Sequence, residues 1–224
     1  MDYSKNIFYV SSILTNRYKN FAHNNKKNPL EELFFILCSV KTNREKYQNT
    51  YRAFRKEFPR FEMVAEAPAE YIAKPLATGG LAKQKSIALK KALGVIIEHF
   101  GRATLAPLRK MTDRECEQFL IALPGVGKKV ARCVMMYSLD RQVFPVDSHC
   151  WRICRRLGWV RRTTKDPSKP TLNDMDRLQK NIPPELRFAL HVNMVSLGRE
   201  ICLPRKPRCS LCPIERYCKK ISVA

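Results

Sequence analysis

Four cysteines stand within seventeen residues near one end of the chain, in "CLPRKPRCSLCPIERYC", at Cys202, Cys209, Cys212 and Cys218. No other feature restricts the fold as much. A C-x6-C-x2-C-x5-C run folds around one compact centre, and four thiolates so close together suit a soft metal. The chain holds nine cysteines and no signal-peptide pattern. The N-terminal "NIFYVSSIL" lacks a small-residue cleavage site and runs straight into "TNRYKNF". Its Ile7, Val10, Leu14 and Phe21 fall on one helical face, which reads as a packed helix. An intracellular, reducing setting (cytoplasm and nucleoid, or a nucleus) is therefore expected, in which clustered cysteines are metal ligands rather than disulfides. Structural zinc usually shows two short cysteine pairs, whereas only Cys209 and Cys212 are two residues apart. Spacing alone leaves zinc and a 4Fe–4S cluster equally open. Arg205, Lys206 and Arg208 occupy the six-residue loop between the first two cysteines. A braced, cationic loop is a good phosphate contact. Cys38, Cys116, Cys133, Cys150 and Cys154 lack ligand spacing and read as small buried apolar groups, and His149 and His191 have no matched partner.

The rest of the chain is helical in pattern. "PLEELFFILCSV", "NREKYQNTYRAFRKEF", "KQKSIALKKALGVIIEHF", "DRECEQFLIAL" and "KKVARCVMMYSL" all suit helices, with Pro, Gly and Asn between them. No Asn-Gly hairpin, alternating strand run or repeat occurs, so the expected class is all-α. "RRTTKDPSKPTLND" is the most polar stretch and reads as a connector. No apolar run reaches the roughly 18 residues of a membrane span. The net charge is +22, and from Trp151 onward 17 basic residues face 6 acidic ones. Such an imbalance costs self-repulsion and points to a polyanion partner.

In "ALPGVGKKVARCV", Pro124 and Gly125 stop one helix and the next begins near Lys128. Gly125 and Gly127 permit positive φ and, around Val126, leave backbone N–H groups uncovered beside a helix N-terminus. That makes a small anion pocket suited to a DNA phosphate; an ordinary helical hairpin gives the same pattern. Lys128 and Lys129 are adjacent, so they point about 100° apart. Val130, Val134 and Tyr137 mark a buried face, so one lysine can meet phosphate while the other looks into a cleft. A lysine among apolar groups and beside another cation loses proton affinity and can act as an amine nucleophile, although most helical lysines are solvated charges. Asp147 in "FPVDSHCWR" suits the N-cap of the helix "SHCWRICRRL". In a cleft, the same carboxylate could stabilise positive charge on a sugar.

Taken in order, "LPGVGKKVA", "VDSHCWR" and "REICLPRKPRCSLCPIERYC" closely resemble the helix-hairpin-helix DNA glycosylases, and among them the endonuclease III branch with an iron–sulfur cluster. The resemblance runs from about "NPLEELFFILCSV" to Cys218. It implies a two-lobed all-α fold: a six-helix domain over 28–139 with the hairpin motif at 113–139, and a cluster domain of 1–27 and 140–224. The cluster loop is 202–218, with Cys202, Cys209, Cys212 and Cys218 holding 4Fe–4S. DNA would cross the cleft between the lobes with the damaged nucleotide flipped out.

By the same resemblance Lys129 is the catalytic lysine, Lys128 its basic hairpin neighbour and Asp147 the catalytic aspartate. Leu81 in "TGGLAKQK" matches a wedge residue that enters the base stack. Lys41, in "LCSVKTN", stands where the family usually has a glutamine that fills the gap left by the flipped base. Trp151 is bulkier than the resemblance leads one to expect and would reshape the region near the pocket. Ile36 replaces the glutamate of adenine-specific relatives, and Lys129 replaces the tyrosine usual in thymine/uracil mismatch relatives. The implied activity is glycosylase plus AP lyase on oxidised pyrimidines in duplex DNA, carried out by a monomer. The alternatives are a related glycosylase for deaminated, mismatched or alkylated bases, and a non-catalytic binder of damaged DNA. An electron carrier would have no use for the hairpin or the charge.

Overall fold

The computed structural model describes residues 4–20, 24–42, 44–160 and 169–221. Among the described residues every regular element is helical and no strand occurs. The helices are α1 (Ser4–Tyr18), α2 (Pro29–Ser39), α3 (Arg44–Glu57), α4 (Glu62–Glu66), α5 (Ala69–Leu76), α6 (Ala82–Phe100), α7 (Asp113–Ala122), α8 (Lys128–Ser138), α9 (Ser148–Leu157), α10 (Leu172–Asn181) and α11 (Pro184–Glu200). None of them is long and apolar enough to cross a membrane. The chain divides into two compact units, Asn24–Arg141 and Met1–His23 with Gln142–Ala224.

In the unit Asn24–Arg141, α2 is the central helix. Asn28 caps it, accepting from Leu30 N at 2.9 Å and Glu31 N at 3.2 Å, and Pro29 takes the first position, where no N–H is needed. Leu30 and Leu33–Cys38 are all buried, so this helix is apolar on nearly every side, and α3, α6 and α8 pack around it. Phe34 meets the rings of Phe61 at 4.7 Å and Phe54 at 5.9 Å. Each such side chain contributes roughly 1.5–3 kcal/mol by leaving water. A capping box of Thr112 and Glu115 starts α7.

The expected single buried face of α8 is a whole buried helix, with every residue from Val130 to Ser138 out of solvent. The polar letters in the run hid this. Arg132 is 2% exposed with its guanidinium on Glu117 at 2.5 Å, and Ser138 Oγ donates to Lys26 O.

In the other unit α1 packs on α11, and α11 on α9. Ile7, Val10 and Leu14 are at most 1% exposed and line the expected face, while Phe21 lies outside the described residues. Trp151 is 2% exposed in this unit's core with Phe144, Leu190 and Met194. The polar stretch "RRTTKDPSKPTLND" is only partly connector. Residues 161–168 lie outside the described residues, and its end opens α10 through a capping box of Thr171 and Asp174.

Candidate active site, nucleic-acid interface and thiol centre

The turn between α7 and α8 is built by three residues with different tasks. Val126 N donates to Leu123 O at 3.1 Å, and its side chain is 5% exposed, which plugs the turn into its own unit. Gly125 sits at φ +81°, and an added Cβ would lie 2.8 Å from Ala88 Cβ, so conformation and space both demand glycine there. Gly127 does not use the positive φ that its bare α-carbon permits. At φ −92° and ψ 171° it is extended backbone with nothing near its α-carbon. Its bareness serves a different end: no side chain caps α8, which leaves the first N–H groups and the positive helix end to an outside anion.

Lys128 and Lys129 form the first turn of α8, both half-buried. The helix beneath them, α2, carries a group that the sequence reading missed. Glu32 is fully buried, accepting from Lys26 N at 2.6 Å and from the Asn25 side-chain amide. Burial pushes its carboxyl up from 4.5 to about 7, against the pull of those two donors and of the Lys129 and Lys26 ammonium groups. The only sequence signal was a second acidic letter at a core position of an otherwise apolar helix, which passes for a first-turn charge.

A raised carboxyl favours its protonated form in the fold. Its stability contribution is complete below about pH 4.5 and is lost as pH rises through 7. Glu32→Gln is therefore expected to stabilise the protein at pH 8 by about 1–3 kcal/mol and to change it little at pH 4.5. Denaturant unfolding at both pH values checks this; an equal effect at the two would show that the carboxyl is not raised.

Asp147 is the N-cap of α9, with Oδ1 accepting from Cys150 N at 2.8 Å, and the carboxylate is half-buried. Lys41 and Leu81 each adopt left-handed backbone, at φ +52° and +54°, and both are exposed.

Cys202, Cys209, Cys212 and Cys218 line one cavity of about 310 Å³, counted with its open solvent. Among the described residues no three His, Cys, Asp or Glu groups are arranged about a single metal-ion position; the four thiols instead line a wider space. Burial, and then the neighbouring thiols, raise the Cys212 thiol to about 11, and burial raises that of Cys218. Bare thiolates thus disfavour this site, and a cationic centre would reverse that.

The segment is gripped by two arginines one turn apart on α9, which sequence reasoning passed over. Arg152 donates to Cys202 O at 2.9 Å. Arg156, 5% exposed, donates to Cys202 Sγ at 3.1 Å and Leu203 O at 2.7 Å. Lys220 N also approaches Cys218 Sγ at 3.4 Å. N–H groups aimed at sulfur are characteristic of iron–sulfur sites, so the residues present fit such a group. Arg205, Lys206 and Arg208 are exposed on the intervening loop. The other five cysteines are buried in the cores, as their spacing suggested.

A chain all-helical among its described residues, with an uncapped Gly-Val-Gly turn and four thiols around one cavity, falls in the helix-hairpin-helix class of DNA repair folds. The chain belongs to the HhH-GPD superfamily of base excision DNA repair proteins, whose family profile matches residues 35–178. It is 33% identical over 173 residues to an Arabidopsis thaliana protein named "Putative DNA glycosylase". That match covers 77% of this chain and 57% of the relative. Endonuclease III of Thermotoga maritima is 27% identical over 204 residues, covering 90% of this chain and 88% of the relative. A solved non-covalent endonuclease III–DNA complex superposes with a TM-score of 0.80 at 22% identity, covering 98% of this chain and 97% of that one.

Proposed function

We propose that this chain is a base-excision DNA glycosylase with AP lyase activity, acting on oxidised pyrimidines in duplex DNA. The observation that carries the reading is Lys129, half-buried on the uncapped first turn of α8, directly after the turn Gly125–Val126–Gly127. The turn N–H groups and Lys128 would hold the backbone near the lesion. The neutral Lys129 amine attacks C1′ of the extruded nucleotide. The glycosidic bond breaks with its electrons leaving on the base; the adduct nitrogen gives up a proton, and its lone pair then opens the C1′–O4′ bond to form the iminium while O4′ takes up a proton. Loss of the C2′ proton then expels the 3′ phosphate, which nicks the strand. Asp147 stabilises the positive charge developing on the sugar.

Cys202, Cys209, Cys212 and Cys218 would hold a 4Fe–4S cluster. When bound, such a group supplies iron–thiolate bonds that tie the segment together. Arg205 and Lys206 then stand on a braced loop as phosphate contacts. Replacing both with alanine is expected to lower the salt slope of DNA binding by about two, similarly on every sequence. An unchanged slope in a salt titration would remove the loop from the interface.

Borohydride trapping on duplexes carrying thymine glycol or an abasic site tests the main reading. Covalent complexes on both are expected. A complex on the abasic duplex alone would overturn the oxidised-pyrimidine assignment and keep the lyase; none on either would overturn both.

A further inference from the structure

Lys85 is a buried cation that nothing above uses. It lies on the first turn of α6, 6% exposed, and its ammonium donates to Cys38 O at 2.9 Å, Thr42 Oγ1 at 2.8 Å and Gly79 O at 3.0 Å. Thr42 Oγ1 in turn donates to Gly79 O at 2.5 Å. All three ammonium hydrogens are therefore spent on neutral oxygens, and burial lowers the group's proton affinity. A cation taken from water without a carboxylate costs several kcal/mol, and a leucine or methionine would fill the same space without that cost. The geometry gives the ammonium a task that an apolar side chain lacks: it joins two separate chain segments.

Those segments are the end of α2, where Cys38 and Thr42 flank Lys41, and the turn Gly79–Gly80–Leu81 before α6. Each contains one non-glycine residue in the left-handed region, Lys41 and Leu81, which costs each about 1–3 kcal/mol. Leu81 is 42% exposed despite being large and apolar, and Lys41 is exposed and directly precedes Thr42, whose hydroxyl accepts from the ammonium. The turn is pinned from α3 as well. A Cβ on Gly79 would meet Thr50 Oγ1 at 2.8 Å, and that hydroxyl lies 3.1 Å from Thr78 Oγ1. Strain of this kind persists only where the surroundings over-determine it. Here the common determinant is Lys85, and what it presents is a pair of prongs, one apolar and one cationic. An apolar tip suits the space between stacked bases, and a cation suits a base acceptor or a phosphate.

We infer that Lys85 is a positioning residue: its ammonium fixes Lys41 and Leu81 at one spacing, so that the two enter the opened base stack of a duplex as a unit. This rests on the proposed reading of the chain as a protein that extrudes a nucleotide.

The test uses a duplex with a tetrahydrofuran abasic analogue, which cannot react with Lys129, and 2-aminopurine stacked beside the gap on the intact strand. Binding of the wild type should raise the 2-aminopurine fluorescence severalfold as the stack opens. Lys85→Met is expected to bind within about threefold of wild type, because phosphate contacts carry most of the affinity. Its fluorescence rise at saturation should fall to about half or less of the wild-type rise, since the prongs no longer move together. Thr42→Val, which removes one acceptor and keeps the charge, should give an intermediate rise; if Lys85→Met fails to fold, this variant decides by the same readout.

A full rise in the folded variants would overturn the inference, as would a loss of binding that accounts for the lost signal. Trapping of the wild type at a natural abasic site, run alongside, reports on Lys129 separately. Trapping without any wild-type fluorescence rise sinks the prongs and leaves the chemistry. Absence of both sinks both.

Discussion

Lys129→Ala is expected to abolish the borohydride-trapped complex and to slow strand nicking at a lesion by about a thousandfold or more. The magnitude follows from the role. A nucleophile that forms a covalent intermediate cannot be replaced by a neighbour that cannot reach C1′, and Lys128 points about 100° away around α8. Lys129→Arg separates the two possible tasks of the side chain. It keeps the charge for a phosphate but has no amine to form a Schiff base, so binding should survive and trapping should not. The fold should tolerate either change, because burial from Val130 to Ser138 holds α8 along most of its length. Lys129→Ala should also leave Glu32 on α2 with one fewer cation to lower its carboxyl, which a pH-dependent unfolding series would register and Lys129→Arg should not reproduce. Full nicking by Lys129→Ala would remove the assigned chemistry.

The all-α class, the hairpin turn and the four cysteines were legible in the sequence because each is written in local letters. Gly125 illustrates both the strength and the limit of that reading. Its positive φ followed from the turn, but the approach of Ala88 is a long-range contact that no local pattern contains. Gly127 looked equivalent and is not, since two glycines in one turn carry the same letter and opposite conformations. The groups that escaped notice are charges buried by tertiary packing: Glu32, Lys85, Arg132 and Arg156. A window of hydropathy reads each of them as a solvated face. Only the assembled unit shows that Lys85 meets three oxygens, or that Arg156 meets a thiol. Trp151, a bulky residue beside a functional motif, is core. α10 was hidden because it buries only Leu178 and Asp174, too few apolar letters for a periodic signal.

Cys209→Ala carries the second large effect. Among the described residues the segment after α11 has no regular structure beyond two short turns at Cys209–Leu211 and Glu215–Tyr217, and its own backbone hydrogen bonds, such as Arg208 N to Ile201 O and Cys218 N to Glu215 O, are local ones. What holds it among the described residues is the grip of Arg152 and Arg156 together with Ile214 and the half-buried thiols packed on the unit's core. If a 4Fe–4S cluster joins the four thiols, losing one ligand should release the cluster and bleach a yellow-brown colour. It should also destabilise the unit Met1–His23 with Gln142–Ala224 by at least about 3 kcal/mol, in the range set by loss of a structural metal.

Cys154→Ala is the matched control. That thiol is wholly buried on α9 but lines no part of the thiol cavity, so Cys154→Ala should keep the colour and cost only about 1 kcal/mol of packing. Visible absorbance and thermal unfolding of both variants decide the matter. A colourless native protein containing zinc would sink the cluster assignment. Colour retained in Cys209→Ala would mean that the ring closes on fewer thiols than its spacing implies. The DNA readout should follow the colour: with the loop no longer braced, Arg205 and Lys206 lose their fixed geometry, and the salt slope should drop as it does when both are removed. A slope unmoved by loss of the cluster would separate the two, leaving the thiol ring as a staple for its own unit alone.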